Sequence, residues 1–292
     1  MSQTRREWMA GTASTLAGLA MAARVKQAFA GQGDGWPKVG MCDWSMGRVN
    51  PDAFELGKKI GLDGIEVSIG SVKNDLWLRQ PEMQKKYLDA ARASGLAIPS
   101  MAMGLLNRIP LMSEPRAALW VGDTIEVAKK LGARVILLAF FGKGELKETR
   151  KDDMRRVTEA LQELAPRAEK AGVILGLENY VSAEGNLSII EQVKSKYVQV
   201  YYDVYNAAGK GYDVVKEIKL LGKRQICQIH YKEGRNYLGG SGKIDWSAVA
   251  AAVKEVGYRG WMILETQWPT GDVVTDTRKN LQYVKKLYAA SV

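Results

Sequence analysis

The sequence predicts an α/β protein built as a single (β/α)8 TIM barrel, and three observations predict it. After residue 36, short apolar runs alternate eight times with helix-like stretches. Glycine recurs at the turns that lead from helix to strand. The last four runs end in Glu178, Asp203, His230 and Glu265, side chains that can do chemistry. A doubly wound open sheet is the competing architecture, and it usually carries a Gly-rich first turn. The first run here passes into Asp43-Trp44-Ser45-Met46-Gly47, which is no dinucleotide fingerprint. Eight units favour closure.

Taken in order, the strands expected are Val39–Asp43, Gly64–Ser68, Ala97–Ala102, Val135–Phe140, Val173–Glu178, Val198–Asp203, Ile226–His230 and Met262–Glu265. They are short and apolar, as strands buried on both faces are. Between them lie amphipathic stretches. In Asp152–Ala171, residues Met154, Val157, Leu161, Leu164 and Ala168 recur at helical spacing. In Asp276–Ala290, Leu281, Val284 and Leu287 form a stripe. Gly61, Gly95, Gly132, Gly172 and Gly257 stand where helix C-caps should fall, and glycine enters the left-handed conformation there without steric cost. No linker or low-complexity segment interrupts this pattern. Residues 37–290 therefore read as one barrel domain.

The chain has 292 residues, 46% of them hydrophobic, enough for one large core. A barrel of this kind takes about 250 residues. The net charge is +10, from 42 basic and 32 acidic residues. The basic residues are spread along helix-like segments, such as the one with Lys216, Lys219, Lys223 and Arg224, and no basic run is interleaved with aromatics. A solvated basic surface explains this better than nucleic-acid binding.

The N-terminus reads as a cleavable export signal, residues 1–30. Thr4-Arg5-Arg6-Glu7-Trp8-Met9 is a twin-arginine start, a weakly apolar stretch runs from Met9 to Ala23, and Ala28-Phe29-Ala30 is a small-x-small cleavage site. The stretch is too short and too rich in Gly and Thr to span a bilayer stably. Arg24 and Lys26 before the cleavage site suit twin-arginine export to the periplasm. An amphipathic N-terminal helix is the alternative, and the order of charge, apolar run and cleavage site favours the signal. Cys42 and Cys227 would then meet an oxidising compartment. They fall on the first and seventh strands, which the eighth separates, so two unpaired buried thiols are expected.

In a parallel barrel, adjacent strands present their C-terminal ends to one shared site. Glu178, Asp203, His230 and Glu265 meeting there make an oxygen and nitrogen ligand set for one divalent metal. A lone strand-end carboxylate often only caps the next helix. Three of them together with the chain's single histidine point further, to Mn2+ first, with Mg2+, Co2+ and Zn2+ also suited.

Here the chain resembles the xylose isomerase-like barrel superfamily, in the sugar isomerase/epimerase group that includes ketose 3-epimerases. The likeness covers about residues 37–290. It rests on Leu177-Glu178-Asn179, Tyr202-Asp203, Ile229-His230-Tyr231-Lys232-Glu233, Gly242-Lys243-Ile244-Asp245-Trp246 and Leu264-Glu265. It implies that Glu178 and Glu265 flank the substrate and bind the metal, while Asp203 and His230 hold it. It also implies substrate contacts for Glu184, six residues after Glu178, and for Glu66 on the second strand. The group often has histidine three residues after the sixth-strand aspartate, where this chain has Asn206. It usually has arginine six residues after the seventh-strand histidine, where this chain has Asn236 beside Arg235. Homodimers are common in the group, and no interface is legible in these residues.

The chemistry follows from the residue types. A metal bridging a carbonyl and the neighbouring hydroxyl stabilises an enediolate, and a carboxylate on each face of the carbon can take a proton and return one. That serves an isomerase or epimerase of a non-phosphorylated sugar. It equally serves a lyase that eliminates the aglycone of a 3-keto-glycoside. A non-catalytic sugar-binding barrel is the third reading, because fold alone does not establish catalysis. One histidine cannot build the zinc cluster of a repair endonuclease of this superfamily. Other residues leave two readings open. Lys232 either reaches the site or pairs with Glu233. Gly239-Gly240-Ser241-Gly242-Lys243 is a phosphate loop or a plain rim loop. Asp245 reads as a helix N-cap. Trp44, Trp246 and Trp268 stack on a sugar or fill the core, and Phe140 and Phe141 line the pocket or fill the barrel.

Overall fold

In the computed structural model, which describes residues 36–289, eight strands pair in chain order, all parallel, and close into a barrel. The export signal expected at residues 1–30 lies outside the described residues. The strands are β1 Lys38–Cys42, β2 Gly64–Ser68, β3 Ser100–Met103, β4 Val135–Ala139, β5 Ile174–Glu178, β6 Val198–Asp203, β7 Ile226–Tyr231 and β8 Trp261–Leu264. The helices are α1 Asp52–Ile60, α2 Pro81–Ser94, α3 Pro115–Leu131, α4 Lys151–Ala171, α5 Ala183–Val193, α6 Val204–Gly209, α7 Val214–Gln225, α8 Trp246–Glu255 and α9 Val273–Tyr288. Among the described residues, no helix is long and apolar enough to cross a membrane.

The helix-to-strand turns are built as expected. Gly61, Gly95, Gly132 and Gly172 cap α1, α2, α3 and α4 with φ between 70° and 95°, and their N–H groups bond back into the last turn. Gly257 differs. Helix α8 ends on Val256 in the right-handed region, and Gly257 takes the positive φ one residue later.

The third strand is shorter than expected. Ala97 makes only an isolated bridge to Gly64, and regular pairing begins at Ser100. Pro99 lies between them and has no N–H to give the ladder. The eighth strand ends at Leu264. Glu265 follows it, still pinned by its N–H to the Tyr231 carbonyl at 3.0 Å.

Burial on both sides of each strand holds the barrel together. Cys42, Ala102, Val135, Leu137, Ala139, Tyr201 and Ile263 form one packed cluster. Outside, α4 lays Val157, Leu161, Leu164 and Ala168 on the sheet. Each fully buried Val or Leu contributes roughly 1.5–3 kcal/mol. In α9 the stripe turns slightly: Leu281, Val284 and Tyr288 are buried, and Leu287 is half-buried.

Candidate metal centre

The parallel register brings the strand ends together. Asp203 pairs with His230, and His230 with Ile263, so β6, β7 and β8 finish side by side. His230 is fully buried. Its Nδ1 lies 2.9 Å from Glu178 Oε1, 3.5 Å from Glu265 Oε2 and 3.8 Å from Asp203 Oδ2. One ligand atom from each of the four residues lies within 4.8 Å of the others.

The donor set fits a hard divalent cation. Asp203 spends Oδ1 on the Asn206 N–H at 2.8 Å, which caps α6, while its buried Oδ2 has no hydrogen-bond partner. Lys232 Nζ stands 3.0 Å from that oxygen, as an ion pair only. It also donates to Glu265 Oε2 at 2.7 Å, and Trp44 Nε1 donates to Glu265 Oε1 at 3.2 Å. Lys232 therefore reaches the site.

Three carboxylates this close repel one another. Burial, then the charges of Glu265 and Asp203, push the Glu178 carboxyl up to about 7, against the pull of His230. Burial also raises Asp203, Glu265 adds to that rise, and Lys232 and His230 oppose it. At Glu265 burial is outweighed by His230, Lys232 and the Trp44 hydrogen bond, so its carboxyl sits below its usual range.

Glu66 is not at the mouth, where a substrate contact was expected. It is fully buried inside the barrel, beneath His230. Its Oε1 lies 3.3 Å from His230 Nε2, and its Oε2 accepts hydrogen bonds from the Ser100 and Tyr201 hydroxyls. Cys42 completes this lower layer, with Sγ 3.5 Å from His230 Nε2 and 3.7 Å from Glu66 Oε1. Both Cys42 and Cys227 are free thiols. A strand-end glutamate can point inward a layer below the rim, and only the barrel's stagger decides which.

The remaining expected contacts separate. Asn206 is buried on α6, with its N–H on Asp203. Glu184 is exposed in the first turn of α5, where its charge acts on Glu217 and Tyr212. Arg235 and Asn236 are exposed in the loop after β7. Trp44 is half-buried at the site, its ring edge-on to His230 at 6.3 Å. Trp246 is a core residue, not a sugar platform: it is 1% exposed and stacks on Tyr231. Trp268 is partly exposed and donates to the Ser45 carbonyl. Phe140 is buried, and Phe141 packs edge-on against Tyr180. Asp245 caps α8 through the Ala248 N–H.

Glu233 was missed as an organiser. It is fully buried and takes hydrogen bonds from the Gly239 N–H, the Ser241 N–H and hydroxyl, and Trp246 Nε1. Its only sequence signal is a charge set between an apolar strand and a glycine-rich loop. Two of the loop amides a phosphate could use, those of Gly239 and Ser241, are held by this internal carboxylate.

Fold and site together define a parallel (β/α)8 barrel with a buried carboxylate–imidazole cradle at its C-terminal face. The chain belongs to the family described as xylose isomerase-like TIM barrel, whose model matches residues 54–287. Its sequence is 27% identical over 256 residues to an L-ribulose-5-phosphate 3-epimerase of Escherichia coli strain SMS-3-5, spanning 80% of this chain and 88% of that protein. A crystal structure of D-psicose 3-epimerase in the presence of D-fructose superposes with a TM-score of 0.72 at 17% identity, covering 86% of this chain and 99% of that one. An Escherichia coli 3-keto-D-glucoside 4-epimerase superposes with a TM-score of 0.68 at 16% identity, covering 85% and 99%.

Proposed function

We propose that this chain is a divalent-metal-dependent sugar isomerase or epimerase, which moves a proton next to a carbonyl through an enediolate. The observation that carries the reading is the meeting of Glu178, Asp203, His230 and Glu265 within 4.8 Å, in a chain similar to sugar 3-epimerases. A bound divalent cation, Mn2+ by preference, would supply the Lewis acidity that lowers the cost of the enediolate charge. Glu178 and Glu265 come from β5 and the end of β8, so a sugar carbon between them has a carboxylate on either side to take a proton and return one. Lys232 and Trp44 each donate to one oxygen of Glu265. Asp203 and His230 complete the cradle. A non-phosphorylated substrate is favoured because Glu233 already fills the loop after β7. Periplasmic location by the twin-arginine route belongs to the same proposal and rests on residues 1–30 alone. Blocked export of the Arg5→Lys, Arg6→Lys double variant checks it.

One observation favours a glycoside as substrate, with epimerisation or β-elimination as the outcome. An open groove of about 460 Å³ is walled by Glu145, Lys147, Tyr180, Ser182, Lys210 and Tyr212. Its size is within the usual range for ligand pockets, and Tyr180 stands two residues beyond Glu178 in the chain.

Incubation in D2O with free ketoses, aldoses and 3-keto-glycosides tests the whole reading by proton NMR, with metal-stripped and Mn2+-loaded protein in parallel. Manganese-dependent deuterium uptake next to the carbonyl is expected, and the products distinguish epimerisation, isomerisation and elimination. Glu265→Gln should lose the exchange. Sugar binding without exchange on any substrate would leave a binding barrel instead.

A further inference from the structure

The residues beneath His230 have no part in the chemistry above, yet together with His230 they draw on five strands. Cys42 comes from β1, Glu66 from β2, Ser100 from β3, Tyr201 from β6 and His230 from β7. All five residues are at most 1% exposed. Polar groups buried this deeply are costly unless each has a partner, and here Cys42, Ser100, Tyr201 and His230 all converge on the Glu66 carboxylate.

We propose that Glu66 is the positioning residue for His230: it accepts the Nε2–H and so turns the Nδ1 lone pair toward Glu178, Asp203 and Glu265. The inference rests on the reading that those four residues hold a cation. A neutral imidazole carries one N–H, and the partner of one nitrogen decides which form is present. Below the ring, Nε2 faces Glu66 Oε1 at 3.3 Å. Above it, Nδ1 faces three carboxylates at 2.9–3.8 Å, where a lone pair can serve a cation. Glu66 cannot swing away, because the Ser100 and Tyr201 hydroxyls hold its other oxygen. Tyr201 also packs edge-on against the imidazole, with ring centroids 4.5 Å apart, and limits its rotation. A histidine ligand anchored through its second nitrogen commonly loses 10–100-fold in metal affinity when the anchor is removed. This assigns Glu66 to the ring beneath the metal and not to the sugar above it.

The test uses the chain's single histidine, because selective 15N-histidine labelling then yields one imidazole spectrum. Calorimetry measures Mn2+ affinity for the parent, Glu66→Gln, Glu66→Leu and Tyr201→Phe, and NMR of the Mg2+-loaded proteins reads the tautomer. The parent should bind one equivalent of Mn2+ and show a protonated Nε2. Glu66→Leu should bind roughly 10–100-fold more weakly, with its Nε2–H resonance lost or shifted by loss of the acceptor. Glu66→Gln keeps an acceptor and should recover part of the affinity. Tyr201→Phe removes one support of Glu66 and should lose a few-fold, which keeps the test intact if Glu66→Leu does not fold. Parent-like affinity and an unchanged imidazole spectrum in folded Glu66 variants would overturn the proposal while leaving the metal reading standing. So would a second bound metal lost on Cys42→Ala, because the lower layer would then be a ligand set. A parent that binds no divalent cation would overturn both.

Discussion

Raising the pH should destabilise the metal-free chain, and Mn2+ should reverse a defined part of that loss. Glu178 is 5% exposed and its carboxyl is pushed from 4.5 up to about 7, first by burial. Between those values the folded chain keeps a proton that the unfolded chain releases, so stability falls as pH rises. Each unit of displacement is about 1.4 kcal/mol, so Glu178 contributes a fall of about 3 kcal/mol. His230 is raised despite its burial, chiefly by Cys42 and Glu178. Its contribution is full below its unfolded value and is lost as pH rises through its folded one, which is the same sign. Glu265 is lowered, and its window lies below this range. Asp43, buried beside Ser68 and also pushed up to about 7, adds a fall that a cation at the site does not touch.

Thermal unfolding followed by circular dichroism at about pH 5.5 and pH 8 reads the result. Between these pH values the Glu178 share is about 2 kcal/mol, a drop of roughly 4–8 °C in the metal-free protein. Cation binding needs deprotonated carboxylates and a neutral imidazole. Mn2+ at a hundredfold above its Kd adds about 2.7 kcal/mol, and this rescue should be large at the higher pH and small at the lower one. Glu178→Gln should remove its share of the slope and leave that of Asp43. A flat or rising melting temperature in the metal-free parent would refute the reasoning. Equal stabilisation by Mn2+ at both pH values would refute it too.

Two further substitutions test the surroundings of the site. Lys232 holds a positive charge 3.0 Å from Asp203 Oδ2 and 2.7 Å from Glu265 Oε2, so it competes with a cation. Lys232→Met should tighten Mn2+ binding by calorimetry, and weaker binding would mean that the ammonium organises the carboxylates instead. Glu233→Ala should cost about 1–3 kcal/mol, because it strands the buried Trp246 Nε1–H and releases the amides of Gly239 and Ser241. Denaturant unfolding should show that loss, and limited proteolysis should find the loop after β7 opened.

Much of this architecture was readable from local pattern. Short apolar runs and the glycines after α1 to α4 marked the alternation, because strand burial and left-handed caps are satisfied within a few residues. The strand ends named Glu178, Asp203, His230 and Glu265, because parallel strands that close in order must share one face. Depth and direction were not readable. Glu66 looked like a rim residue and lies under His230, a contact between residues 164 apart that only the stagger of the closed barrel creates. Lys232 and Glu233 are sequence neighbours just past the end of β7, yet one reaches the carboxylates and the other anchors a loop. Trp246 gave no sign that its ring would stack on Tyr231. Sequence alone determined the eight strands and the four residues that end the last of them, because hydrophobic period and strand direction are local. Tertiary structure alone decided which of them touch, because that depends on register and tilt around a closed sheet.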